Sequence, residues 1–237
     1  MELKKHKFEV IILSGGFGKR LQSVSNGIPK SLMPVGDSLY FDFLLKKVFN
    51  NQINQVYLSL HYRSELFEKY VSSSKYKMDI STIVEPKPMG TGGAIKYVLD
   101  NSNISSPFIV INGDSLSDIN LNNMGENFRK TNYKAIIGIS KVNNAERYGT
   151  VKIKKGNIIS FNEKGYGGSG WINNGYYILR KEIFDDYNGV FSIETDVFPK
   201  LTQNHELGAF KVKNDNFIDI GTPDDYNKLC QMHEEVK

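Results

Sequence analysis

The residues of this 237-residue chain best suited to chemistry are cations beside glycines and carboxylates at the ends of apolar runs. Leu13-Ser14-Gly15-Gly16-Phe17-Gly18-Lys19 leads into Arg20, and Lys30 follows between Pro29 and Ser31, with Pro34 just beyond. Glycines let a backbone turn tightly and expose its N–H groups. Arg20 adds a fixed fork and Lys30 a mobile point charge, a pairing that suits a polyphosphate. The prolines stiffen the segment that carries Lys30. Two other phosphate loops do not fit. A P-loop needs Lys-Ser/Thr where Lys19-Arg20 stands, and a dinucleotide loop needs a glycine where Leu21 stands, with an acid after the second strand.

Two carboxylates stand out. Asp114 ends Ile111-Asn112-Gly113-Asp114, and Asp219 lies in Phe217-Ile218-Asp219-Ile220-Gly221-Thr222-Pro223. Apolar neighbours hold such groups inside, and two hard oxygens plus substrate phosphates are a usual way to bind Mg²⁺. Taken singly, each is a turn or cap residue by type. Glu163-Lys164 reads by itself as a charged hairpin exit, and Asn173-Asn174-Gly175 as either a bulge or a hydroxyl-binding amide. The four histidines show no metal-ligand spacing, and Cys230 has no histidine near it in sequence.

The elements that must position these groups alternate. Val10 to Leu13 has the β-branched content of a buried strand, Phe41 to Asn51 repeats apolar residues at helical spacing, and Val56 to Tyr62 is a second strand. A helix over 65–71, a strand over 80–84, a loop over 85–93, a helix over 94–99 and a strand over 108–111 continue the pattern. This alternation predicts a mostly parallel sheet covered on both faces, with ligands at the carboxyl ends of its strands. The second half adds antiparallel pieces: strands at 135–140 and 172–179, a hairpin of 150–154 with 158–162 around Gly156-Asn157, and short strands at 210–213 and 217–220. A helix is expected over 192–201, and Thr222-Pro223-Asp224-Asp225 starts another. The expected organisation is one domain, in which a second half over about 134–237 adds an acceptor-side lobe to a nucleotide-binding half over about 1–133.

Composition narrows the class. Hydrophobic residues make up 40% of the chain, enough for a sizeable core, and the net charge of +4 comes from lysines scattered among acids. That argues against a nucleic-acid groove and suits small phosphorylated ligands. The basic start at Lys4 to Lys7 precedes an apolar stretch too short for a signal sequence, so no membrane and a cytoplasmic setting are expected.

In family order from end to end, the motifs resemble those of the sugar-1-phosphate nucleotidylyltransferases. They are Gly15 to Leu21 with Pro29-Lys30, Gly90-Thr91-Gly92-Gly93, Asn112-Gly113-Asp114, Arg147-Tyr148-Gly149, Glu163-Lys164, Asn173-Asn174-Gly175 and Asp219 to Pro223. Within the family, Arg20 to Val24, Pro88 to Ile95 and Glu194 to Pro199 look most like D-glycero-D-manno-heptose 1-phosphate guanylyltransferases. The resemblance implies a Rossmann-like α/β nucleotidyltransferase fold and two substrates, a nucleoside triphosphate, GTP first, and a sugar 1-phosphate, D-glycero-α-D-manno-heptose 1-phosphate first. It makes the acceptor-side lobe over about 134–237 the sugar-phosphate-binding half, and it leaves a homodimer open.

The resemblance also implies roles. Leu13, Ser14, Gly15, Gly16, Gly18, Lys19, Arg20, Asn112 and Gly113 would hold the nucleotide, and Glu85, Gly90 and Thr91 would line its base and ribose pocket. Arg20 would favour the departing pyrophosphate and Lys30 would neutralise the reacting phosphates. Asp114 and Asp219 would hold Mg²⁺, and Lys164 the sugar phosphate. Glu163, Asn173, Gly175 and Glu194 would contact sugar hydroxyls, with Tyr148 and Gly149 shaping that side. Three positions depart from the family pattern: Lys19 where Thr is frequent, Asn174 where Ala is usual, and Gly165 where Pro commonly follows Glu-Lys. The implied chemistry is in-line attack by a sugar phosphate oxygen on the α-phosphorus; that nucleophile is already anionic, so the protein supplies positive charge rather than a base. Thymidylyl, uridylyl or cytidylyl transfer to another phosphorylated acceptor, or a non-catalytic nucleotide-sugar sensor, are the alternatives.

Overall fold

The computed structural model describes residues 8–51, 53, 55–162, 168–213 and 215–234, apart from the side chain of Asn162. Four parallel strands form its first half: β1 (Val10–Leu13), β2 (Val56–Leu60), β3 (Ile80–Val84) and β4 (Phe108–Asn112). Helices α1 (Tyr40–Asn50), α2 (Ser64–Ser73) and α3 (Gly90–Asp100) lie among them in sequence. Side chains alternate across a strand, so Val10 and Ile12 enter one core with Phe41, Leu44 and Phe67, while Ile11 enters the other with Ile95 and Val98. Both faces are therefore covered, which is why these strands read as continuous apolar runs.

The chain then adds α4 (Leu121–Arg129), β5 (Ala135–Val142), β6 (Thr150–Lys154), β7 (Asn157–Asn162), β8 (Gly170–Leu179), α5 (Phe198–Gln203), β9 (Leu207–Lys211) and α6 (Pro223–Glu234). These nine strands join one mixed sheet in the order β3-β2-β1-β4-β8-β5-β9-β7-β6. β8 runs antiparallel between β4 and β5 and also meets β6 at Ile172 and Thr150, which curls the second half. β1 is where the strand order reverses, with β2 on one side and β4 on the other, so a crevice opens beyond the carboxyl ends of β1 and β4.

Several boundaries differ from expectation for identifiable reasons. α3 starts at Gly90 rather than 94, because its glycines accept a close neighbour described below. The hairpin turns at Lys155-Gly156, both left-handed (φ 49° and 85°), one residue earlier than expected. The expected helix over 192–201 is a wide helical turn, Ile193–Val197, that runs into α5. The strand expected at 210–213 lies at Leu207–Lys211, and the expected 217–220 shortens to Ile218–Asp219. α4 gave little sequence signal, being rich in asparagine and interrupted by Gly125. It forms because Asn120 caps it, accepting from the Asn123 N–H (2.9 Å), and because it buries Leu121, Met124 and Phe128. Among the described residues no helix is long and apolar enough to cross a membrane.

Candidate active site

The crevice is floored by the ends of β1 and β4. The Gly113 N–H bonds the Leu13 carbonyl (2.9 Å) and the Ser14 N–H bonds the Ser59 carbonyl (2.9 Å), which locks the exit of β1 to both neighbours. The chain then turns through Gly18, left-handed at φ 58°, and is anchored by buried Leu21. Gly15 approaches Glu85 so closely that a Cβ there would stand 3.0 Å from Oε1.

Two cavities open onto this floor. The smaller, ≈ 300 Å³, is lined by Leu13, Gly15, Gly16, Lys30, Glu85, Gly90 and Thr91, together with Phe17, Pro88, Met89 and Ala94. The larger, ≈ 460 Å³, is lined by Arg20, Tyr148, Gly149, Asn173, Gly175, Glu194 and Asp219, together with Ser115, Arg147, Phe161, Ser192 and Phe217. Asn112 and Asp114 belong to both. The structure thus gathers most of the expected nucleotide residues in one cavity and most of the expected sugar residues in the next. Ser14, Gly18, Lys19 and Gly113 line neither: Gly113 packs under Ser14, where a Cβ would meet Oγ at 2.2 Å, and Lys19 is exposed. Glu163 and Lys164 lie outside the described residues.

At the junction Lys30 Nζ donates to Asp114 Oδ2. Burial alone would raise the Asp114 carboxyl, but the charge and hydrogen bond of Lys30, helped by hydrogen bonds from the backbone and Ser115, together hold the group below its ordinary value. Asp219 reaches the same place on a two-stranded ribbon in which Ile218–Asp219 runs antiparallel to Ser115–Leu116, and the Ile220 N–H bonds the Asp114 carbonyl (3.1 Å). Burial, and then the charge of Asp114, push Asp219 up to about 6. Its Oδ1 is buried without a hydrogen-bond partner.

The other buried side-chain atoms without partners among the described residues are Ser14 Oγ, Tyr40 Oη, Asn112 Oδ1 and Arg147 Nε. Asn112 and Arg147 line the cavities, Ser14 sits beside Gly113, and Tyr40 lies within electrostatic reach of Asp114 and Asp219. Unpaired buried polar atoms are costly in a folded protein, and their concentration here fits a place kept for ligand atoms. Two facing carboxylates, one with an unpartnered oxygen, suit a divalent cation that takes its remaining ligands from phosphates and water. Among the described residues no group of three or more His, Cys, Asp or Glu side chains could hold a metal ion by itself.

Glu85 is buried, accepting from Ser59 Oγ (2.9 Å) and the Met89 N–H (3.2 Å). Burial raises its carboxyl, and those two bonds oppose the shift. The glycines of Gly90-Thr91-Gly92-Gly93 make room for the 189–193 segment. The Phe191 carbonyl accepts from the N–H groups of both Gly92 and Gly93 (3.1 Å each), and a Cβ at Gly92 would stand 2.3 Å from the Phe191 ring. This helix start is thus capped by the chain itself, and Thr91 is left to reach the cavity.

The structure shows how Asn173 is brought to the cavity and adds residues that the sequence left without a role. Asn173 and Gly175 do form a bulge: the β8–β5 register shifts between Asn173 and Tyr177, and Gly175 is left-handed at φ 80°. The same bulge sends the Asn173 amide to the cavity, bonded to Tyr177 Oη (2.9 Å). Arg147 pairs with Asp225 at the start of α6 and brings a second guanidinium to the larger cavity. Its only signal was its place in Arg147-Tyr148-Gly149. Tyr40 had none beyond its apolar type at the start of α1.

A sequence model of the nucleotidyl transferase family matches residues 9–235. A D-glycero-alpha-D-manno-heptose 1-phosphate guanylyltransferase of Aneurinibacillus thermoaerophilus is 37% identical over 224 residues, 93% of this chain and 96% of that protein. Its counterpart in Campylobacter jejuni is 33% identical over 219 residues, 92% and 96% of the two chains. The crystal structure of HddC from Yersinia pseudotuberculosis complexed with GMP-PN superposes with a TM-score of 0.84 at 36% identity, covering 97% of this chain and all of that one (100%).

Proposed function

The chain belongs to the nucleotidyl transferase family, and from that membership we propose that it transfers a guanylyl group from GTP to D-glycero-α-D-manno-heptose 1-phosphate, releasing pyrophosphate. The observation that carries the proposal is the pair of cavities that share Asn112 and Asp114 as a common wall. A nucleotide in the smaller cavity and a sugar phosphate in the larger would present the α-phosphorus and the attacking oxygen to each other at that wall. Holding two reactants in line this way removes much of the entropic part of the barrier.

In this reading Gly15, Gly16 and Thr91 hold the nucleotide, and Glu85 faces the base. Glu194, Asn173, Tyr148 and the backbone of Gly149 and Gly175 hold the sugar. Lys30, Arg20 and Arg147 supply the positive charge that lets two anions meet, and Lys164, from its place in the sequence, adds to it. Asp114 and Asp219 are the residues that would hold Mg²⁺, which when bound polarises the phosphates and neutralises charge on them. Once Asp114 has that role, Lys30 is free to turn from its carboxylate to the phosphates. Ser14, Gly18, Lys19 and Gly113 then act through the shape of the loop. The proposal includes a single domain and a cytoplasmic setting, where nucleoside triphosphates are supplied, and a homodimer, checked by light scattering.

The experiment is pyrophosphate release in Mg²⁺, with GTP, dTTP, UTP, CTP and ATP each offered against the heptose phosphate, mannose 1-phosphate and glucose 1-phosphate. Turnover confined to GTP with the heptose phosphate supports the proposal. Turnover with another pair keeps the site and replaces the substrates, and nucleotide-induced stabilisation without turnover in any pair overturns catalysis in favour of a sensor.

A further inference from the structure

We propose that Asn174, Ser117, Ser140 and Asp215 form a positioning clamp that sets the register of the ribbon carrying Asp114 and Asp219. The inference rests on the reading of those two carboxylates as the metal pair. The ribbon itself is short: Ile218 opposite Leu116 and Asp219 opposite Ser115. Register in so short a pairing is weakly specified, and a slip of two residues, which keeps every side chain on its own face, would carry Asp219 about 7 Å along the strand. Besides the Ile220 N–H bonded to the Asp114 carbonyl (3.1 Å), groups beyond the ribbon must hold it.

The holding groups lie at its far end. Asp215 Oδ1 accepts from the Asp118 N–H (2.6 Å), and Oδ2 accepts from Ser117 Oγ (2.7 Å) and from Ser140 Oγ. Asn216 returns the contact, its N–H and Nδ2 both donating to Asp118 Oδ2 (3.2 and 2.6 Å). Above the two serines sits Asn174, fully buried, with Nδ2 donating to Ser117 Oγ (3.2 Å) and Ser140 Oγ (3.0 Å) and Oδ1 accepting from the Tyr176 N–H (3.3 Å). Protons therefore point one way, from the amide through the hydroxyls to the carboxylate. Gly138 leaves the space for the amide, since a Cβ there would stand 2.5 Å from Asn174 Oδ1.

Ser140 belongs to β5 and Asn174 to β8, so the network ties the ribbon to the main sheet. None of its four residues lines either cavity, so they act through Asp219 rather than on substrate. An alanine at position 174 could make none of the amide's bonds. Connected polar groups of this kind, with Ser117, Ser140 and Asn174 buried and Asp215 half-buried, specify one arrangement, at the cost of stability whenever one member is lost.

The test is the melting shift produced by Mg²⁺ alone, titrated against wild type, Asp219→Ala, Asn174→Ala, Asn174→Ala/Gly138→Ala and Ser140→Ala. The double variant refills the volume left by the amide without restoring its bonds. The clamp predicts that Asn174→Ala and the double variant need roughly tenfold more Mg²⁺ for half the shift, the scale of loss when a group supporting a metal ligand is removed. Ser140→Ala, which keeps the Asn174 amide, Ser117 and Asp215, moves in the same direction and is read alone if Asn174→Ala fails to fold. Folded variants that lose melting temperature yet keep the wild-type Mg²⁺ dependence overturn the clamp. An unchanged Mg²⁺ response in Asp219→Ala instead overturns the metal reading, which separates the two failures.

Discussion

Thr91 Oγ1 donates a hydrogen bond to Glu194 Oε2 (2.5 Å), joining a residue that lines the smaller cavity to one that lines the larger. The same hydroxyl accepts from the Ile193 N–H (3.0 Å), and Ser192 Oγ donates to the same Glu194 Oε2 (2.8 Å). The acid expected to read sugar hydroxyls is thus oriented by a residue expected to read the nucleotide.

Thr91→Val keeps the shape and removes the hydroxyl. A hydrogen bond to a charged group contributes about 1.5–3 kcal/mol, so kcat/KM for the sugar phosphate should fall by about tenfold or more, with GTP binding less affected. Steady-state kinetics with each substrate varied in turn check this, and equal losses for both substrates would show that the hydroxyl does not orient Glu194 selectively.

Lys30→Ala removes the cation at the junction of the cavities. Turnover should fall by roughly 10²-fold or more with the circular dichroism spectrum unchanged, because the charge acts on the transition state rather than on the fold. Full turnover in that variant would remove Lys30 from the mechanism.

Asp219 gives a pH signature. Its folded value of about 6 lies above the ordinary 3.8, so folding favours the protonated acid. The stability this contributes is present below about pH 4 and is lost as pH rises through about 6. Mg²⁺ binds the ionised carboxylate, so its melting shift should be small at pH 5 and grow through pH 6 to 7. Asp219→Asn should flatten both dependences, and a pH-independent Mg²⁺ shift in wild type would contradict the assignment.

Gly90→Ala places a Cβ 2.5 Å from the Phe191 carbonyl oxygen at a left-handed position, φ 73°. The strained backbone alone costs about 1–3 kcal/mol. Chemical denaturation should show that loss, and weaker substrate binding with it, since Thr91 moves with its neighbour. An unchanged midpoint would mean that the 189–193 segment gives way freely.

Much of this was legible along the chain. The first four strands and α1 to α3 follow from apolar period and glycine placement, which are local. The loop cations and the carboxylates at strand ends were visible because a chain-reversing glycine beside an apolar run is itself a local pattern. α4 was not legible, since its helix depends on a cap and on burying only three large side chains.

By itself, then, the sequence determined which residue types stand at which strand ends, and hence a crevice with cations and acids around a phosphate-sized ligand. Only the tertiary structure decided that Asp219 faces Asp114, that Lys30 pairs with that aspartate, and that Thr91 meets Glu194. These pairs span 105, 84 and 103 positions, the first by subtraction of the residue numbers. Periodicity reports which face a residue takes on its own element, whereas partners across such distances are chosen by the order in which strands join the sheet. The polar cluster around Asn174 makes the same point: it is a departure in sequence that only Ser117, Ser140 and Asp215, brought together by β5, β8 and the ribbon, turn into a satisfied group.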